Sequence, residues 1–156
     1  PMTRRQGGQF DAARLVATLG GAGLLRPAPG TWGSAVVLPL ALLGPLSCLA
    51  LALVLTLAGF WAARRVLTEQ EDPGWFVVDE GAGMLLALAA LTAPTLTGVA
   101  LAFVLFRALD IAKPWPVSWA DAQAGATGVM LDDLIAGAIA AAALVLLQAL
   151  APGVIG

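Results

Sequence analysis

Three apolar runs without a single charge, residues 35–62, 82–106 and 134–151, constrain this chain more than any other feature. They hold 28, 25 and 18 residues, against the ~20 that one helix needs to cross a bilayer. No segment alternates with period two for long enough to make a strand, so the expected fold class is all-α. All 8 Lys and Arg (Arg4, Arg5, Arg14, Arg26, Arg64, Arg65, Arg107 and Lys113) precede residue 114 and occupy the polar segments around the first two runs. The bias of positive charge toward the cytoplasm puts all of those segments on one side of a membrane. Each of the first two runs must then return to the side it left, yet neither has the ~40 residues of two full crossings. Helix breakers near both midpoints, Gly44-Pro45 and Pro94, divide them into helices of ~9 to 17 residues. The expectation is a membrane-embedded chain with short re-entrant hairpins, whose break points are covered by protein. The third run, with no Lys or Arg after it, reads as a single crossing.

At 156 residues the chain is expected to be one domain, 1–156. Met2 is taken as the start and Pro1 is set aside. Residues 8–25 are expected to form an amphipathic surface helix rather than a secretory signal, because Asp11, Arg14 and several glycines interrupt the apolar patch and no small-x-small site precedes Arg26. The sequence contains no histidine, which removes imidazole bases, phosphohistidine chemistry and His-ligated zinc. Its one cysteine, Cys48, is followed six positions later by Val54 where a cysteine phosphatase needs an arginine, so Cys48 is expected to pack. A net charge of −2 leaves no basic stripe for nucleic acid. A lipid or a membrane-borne partner fits better.

Charge is scarce, at 12% of residues, so its placement carries information. Asp79-Glu80 precedes the second run and Asp132-Asp133 the third. Each pair could simply cap a helix and complement its dipole. One carboxylate satisfies a cap, however, and a second is left as an extra anion near hydrocarbon. If both pairs converge, unit charges ~4 Å apart repel by about 4 kcal/mol at an effective dielectric of 20, and a divalent cation resolves the conflict. Without imidazole or thiolate the ligands are carboxylate and water, which suits Mg²⁺ or Mn²⁺.

Arg107, Asp110 and Lys113 follow at i, i+3 and i+6 and share one helix face. They read either as a surface ion-pair ladder with Trp115 and Trp119 as interface anchors, or as a cationic phosphate clamp oriented by Asp110. The loop from Arg26 to Ser34, with Gly30, Thr31 and Gly33, reads either as a turn with Ser34 as N-cap or as an anion site built from amides at a helix start. Gly125-Ala126-Thr127-Gly128 is a second loop of that type. Asp121 lies outside all of these segments and is expected to matter little.

Four ordered blocks, Pro-Ala-Pro-Gly-Thr-Trp-Gly-Ser, Val-Val-Asp-Glu, Phe-Arg-Ala-Leu-Asp-Ile-Ala-Lys-Pro-Trp-Pro and Gly-Val-Met-Leu-Asp-Asp-Leu-Ile-Ala-Gly, resemble the phosphatidylglycerophosphatase A family over about residues 20–145. The resemblance implies a bacterial Mg²⁺-dependent lipid phosphatase that converts phosphatidylglycerophosphate to phosphatidylglycerol. It also implies about six helices with one central helix surrounded by the others. Carried onto this chain, the family's functional positions fall on Thr31, Ser34, Asp79, Glu80, Arg107, Asp110, Lys113, Asp132 and Asp133. The roles expected here are substrate binding by Gly30, Thr31, Ser34, Arg107 and Lys113. The metal falls to Asp79, Glu80, Asp132 and Asp133, and catalysis to Asp79, Asp133, Arg107 and Asp110. Ala126 stands where the family usually has the second glycine of a pair, which would strain the loop if that position needs φ > 0.

The expected enzyme is thus a phosphomonoesterase of the bacterial inner membrane acting on a phospholipid at the cytoplasmic face, with water or an aspartate as nucleophile. The alternative is a small cation-binding or transport protein that uses the Asp/Glu cluster as its ion path. Its carboxylates would be expected inside the spans rather than at their ends.

Overall fold

Helix breakers set the architecture. The computed structural model describes residues 11–68 and 72–155, and among them there is no strand. In chain order the helices are α1 (Ala12–Ala17), α2 (Pro29–Ala35), α3 (Pro45–Val66), α4 (Val78–Leu88), α5 (Leu96–Ala112), α6 (Val117–Asp121) and α7 (Gly125–Leu150), with 3₁₀ segments at Ala22–Leu24 and Leu38–Leu43. The described residues thus form seven helices, where the resemblance implies about six. Three of them, α1, α2 and α6, have seven residues or fewer.

Both expected breaks are present. The first run turns at Gly44, with φ +92°, and Pro45 starts α3 where its missing N–H costs nothing. The second turns between α4 and α5, where the Thr95 hydroxyl caps α5 by accepting from the Gly98 amide at 3.0 Å. Two lengths differ from expectation. α3 is 22 residues rather than at most 17, because it runs on to Val66 with Arg64 and Arg65 complementing the dipole of its last turn. α7 begins nine residues before the third apolar run. At 1.5 Å per residue these helices extend ~33 and ~39 Å, and both are long and apolar enough to cross a membrane. The expected helix over 8–25 is broken. Residues 8–10 lie outside the described residues, α1 stops at Ala17, and Leu19, Gly20 and Gly21 turn the chain at φ +50°, +69° and +106°.

α4 is the central helix. Only Glu80 and Leu86 of its residues keep partial exposure, and α2, α3, α5 and α7 all pack on it. Gly59 of α3 abuts Val78 and Met130, so the end of α3 lies beside the start of α4 and the two run antiparallel. α4 and α7 run parallel, touching at Gly83 and Gly137. Cys48 is buried and its thiol donates to the Leu40 carbonyl at 3.4 Å, a packing role as expected. Leu46, Leu49, Leu53 and Leu57, at i, i+3, i+7 and i+11, form an exposed apolar stripe on α3. At its end the Arg65 guanidinium sits 5.0 Å from the Trp61 ring centre.

Candidate active site

Parallel packing of α4 and α7 places their acidic residues side by side. Asp79 and Gly83 are one turn apart on α4, as are Asp133 and Gly137 on α7. Without Cβ atoms, the two helices approach until the Gly83 carbonyl lies 2.2 Å from where a Gly137 Cβ would be. One turn earlier, oxygens of Asp79, Asp132 and Asp133 fall within 4.8 Å of one another. All three residues are buried. Capping cannot explain the α7 pair, since Asp132 and Asp133 lie seven and eight residues past Gly125, beyond the first turn. Asp79 and Glu80 are in the first turn of α4, and Asp79 Oδ1 accepts the Glu80 amide at 3.0 Å.

The α5 residues face this cluster. Arg107 pairs with Asp110 and also donates through Nη2 to Thr31 Oγ1 at 3.4 Å. Lys113 caps α5 in the left-handed region, with φ +48°, at a backbone cost of about 1–2 kcal/mol for a residue with a Cβ. Three carboxylates hold it there. Its Nζ donates to Asp132 Oδ2 at 2.7 Å and lies 3.6 Å from both Asp110 Oδ1 and Asp121 Oδ1. Burial pulls the Lys113 ammonium down, but the Asp132 hydrogen bond and the surrounding carboxylates outweigh it and hold the group above its ordinary value. Asp121, set aside in the sequence, therefore touches the site. Its side chain is 40% exposed, and such a pair contributes at most about 1 kcal/mol. Burial, and then Asp121, also raise the nearby Asp72 carboxyl.

The loop before the first run contributes differently from expectation. The Thr31 and Trp32 amides both donate to the Ala28 carbonyl, and Ser34 is fully buried with its hydroxyl donating to the Gly30 carbonyl at 2.9 Å. Ser34 thus locks α2 internally, and the Thr31 and Trp32 amides close the turn at Ala28. What the loop offers is the Thr31 hydroxyl and the bare Cα of Gly30. A Cβ at Gly30 would lie 2.8 Å from Glu80 Oε1 and 3.3 Å from Arg107 Nη1, so glycine there lets anion and cation approach. In the second loop the positive φ falls on Gly125, at +68°, while Ala126 is in the first turn of α7. The missing second glycine therefore strains nothing.

Two oxygens at the centre, Glu80 Oε2 and Asp133 Oδ1, are buried without a hydrogen-bond partner. An unsatisfied buried acceptor costs about 1–3 kcal/mol. Burial raises the Asp79 carboxyl well above its usual range, and the neighbouring Glu80 and Asp133 push it further; burial raises Glu80 as well. Crowded anions, free oxygen lone pairs and the absence of imidazole or thiolate are the features of a donor set able to hold a hard divalent cation. Arg107 and Lys113 border the same space and can grip an anion. Sequence reasoning passed over Gly83 and Gly137, although a signal was present: an Asp followed four residues later by Gly occurs in both helices.

Comparison with known proteins matches the sequence to a family. The family model described as Phosphatidylglycerophosphatase A matches residues 15–148. A Haemophilus influenzae protein named Phosphatidylglycerophosphatase A is 34% identical over 135 residues, covering 81% of this chain and 83% of that protein. An Escherichia coli K12 protein of the same name is 37% identical over 134 residues, covering 81% and 78%. A Bacteroides thetaiotaomicron protein named "Putative phosphatidylinositol-3-phosphatase" is 38% identical over 135 residues, covering 79% and 85%. No solved structure matches the chain.

Proposed function

The chain belongs to the phosphatidylglycerophosphatase A family and hydrolyses a phosphomonoester; on that premise we propose that it cleaves phosphatidylglycerophosphate to phosphatidylglycerol with Mg²⁺ held by Asp79, Glu80, Asp132 and Asp133. The observation that carries this reading is the burial of Asp79, Asp132 and Asp133 with oxygens within 4.8 Å of one another, beside the unpaired Glu80 Oε2 and Asp133 Oδ1 and the Lys113 ammonium. When bound, the cation supplies charge neutralisation and Lewis acidity at the phosphate.

The chain's own groups do the rest. Arg107, oriented by Asp110 and bridged to Thr31, presents a planar fork to nonbridging oxygens. Lys113, held by Asp132, adds a point charge beside it. Asp132 divides its oxygens between the Asp133 amide and Lys113, and so fixes the distance between the carboxylate cluster and the phosphate grip. Burial excludes bulk water and strengthens each of these interactions.

The lipid's headgroup reaches this pocket from a membrane surface. Arg14, Arg26, Arg64, Arg65 and Lys113 flank the site end of the bundle, and the exposed α3 stripe leads away from it. This distribution supports embedding in the inner membrane with the site at the cytoplasmic face. The test is phosphate release from phosphatidylglycerophosphate by purified protein with Mg²⁺, with Mn²⁺ and with chelator. Activity is expected with either metal and not with chelator. Full turnover in chelator would overturn the assignment of the carboxylates.

A further inference from the structure

The two helices that form the phosphate grip also border an apolar groove. On α2, Thr31 and Ala35 are one turn apart and share a face. On α5, Leu96, Val99, Phe103 and Arg107 follow at spacings of three, four and four and form one stripe. Arg107 meets Thr31 at one end of this seam. Further along, Ala35, Leu38, Leu42, Pro94, Leu96 and Val99 line a groove of about 490 Å³ with no charged residue. Along α5, Val99 lies ~12 Å and Leu96 ~16 Å from Arg107 at 1.5 Å per residue. Leu42 and Leu96 are 75% and 86% exposed, so the groove is open at its end away from Arg107.

We infer that this groove seats one acyl chain of the substrate while the phosphate lies at Thr31 and Arg107. The inference rests on the lipid phosphatase reading above. An apolar trough that begins at Ala35 and Val99, on the helices that carry Thr31 and Arg107, and runs on along the 3₁₀ segment Leu38–Leu43 matches a ligand that is anionic at one end and hydrocarbon along the rest. The grooves beside Arg14 and Arg26 each carry a cation in their lining and do not suit hydrocarbon.

The first test uses the full chain in detergent micelles with phosphatidylglycerophosphate bearing a diazirine at the end of one acyl chain. Irradiation is expected to label residues 38–42 and 96–99. Unlabelled phosphatidylglycerophosphate should compete and phosphatidylcholine should not. Equal competition by phosphatidylcholine, or labelling spread along Leu46 to Leu57, would reduce the groove to ordinary lipid contact and overturn the inference. The second test fills the groove with Ala35→Phe or Val99→Trp, each checked for wild-type melting. Steric exclusion of the chain should lower kcat/KM for a dipalmitoyl substrate ~10-fold and for a dihexanoyl substrate less than ~2-fold. Equal loss on both substrates, or no loss on either, would overturn it. Labelling reads the groove whatever the turnover. A protein that labels as expected but releases no phosphate sinks the phosphatase reading alone, and one that releases phosphate without this pattern sinks the groove alone.

Discussion

Gly83 and Gly137 touch backbone to backbone, and this contact sets the distance between the carboxylates one turn before them. A Cβ on Gly137 would lie 2.2 Å from the Gly83 carbonyl oxygen, so any side chain there must push α4 and α7 apart. Small residues at helix crossings serve close approach in general. Here the same approach brings Asp79 to Asp133.

Gly137→Ala should therefore separate the cluster and destabilise the bundle by about 1–3 kcal/mol, the usual range for overpacking. Thermal unfolding and phosphate release are both expected to fall. Gly153→Ala, with nothing within 4 Å of the added Cβ, is the control and should change neither. Wild-type activity in Gly137→Ala would mean that the crossing does not govern the site.

Asp79→Asn and Asp133→Asn should each lower kcat by at least ~100-fold, while the single-residue caps these pairs resemble would tolerate asparagine. Binding to the folded state alone raises stability with ligand concentration. Mg²⁺ should thus raise the melting temperature of the wild type and not of either variant. An equal Mg²⁺ shift in Asp133→Asn would remove that residue from the cation site.

The cationic side separates shape from charge. Arg107→Lys keeps the charge but loses the fork that spans Asp110 and Thr31, and should lose most activity. Asp121→Asn removes one exposed partner of Lys113 at 3.6 Å and should cost less than ~3-fold, since Asp110 and Asp132 remain. A larger loss in Asp121→Asn than in Arg107→Lys would reverse this ranking.

Acid should stabilise the cation-free protein. Burial raises Asp79 and Glu80 above their unfolded values, so between those values the folded state binds more protons than the unfolded one. Stability then falls as pH rises through that interval and recovers as pH is lowered. In chelator the melting temperature is expected to rise from pH 8 to pH 5, and the slope should flatten in Asp79→Asn with Glu80→Gln. A melting temperature that drops steadily on acidification in chelator contradicts this.

Topology can be read with Ala28→Cys, Gly74→Cys and Ala122→Cys in a Cys48→Ala background, three exposed positions at the site end. A membrane-impermeant thiol reagent should reach all three from the cytoplasmic side. Leu42→Cys, at the far end, should be protected from it. Labelling of Gly74→Cys only from the opposite side would break the shared site.

The sequence by itself determined the helical class, the breaks at Gly44-Pro45 and Pro94, and the residues that carry charge. These are local properties: a proline removes its own amide, and an uncharged run declares its own solvent. The four blocks also carry the family, since a motif is a matter of residue order alone. Tertiary structure alone decided what depends on two distant segments meeting. Ser34 reads as a cap or a ligand in sequence and proves to be bonded inward to Gly30. Lys113 reads as one rung of a ladder on α5, yet its closest partner is Asp132 on α7. Asp132 and Asp133 read as a helix start until α7 is seen to begin at Gly125. Gly83 and Gly137 read as two glycines among the 18 in the chain. Only the parallel crossing of α4 and α7 makes them the contact that assembles the site, because the distance between two helices is set by the side chains each lacks.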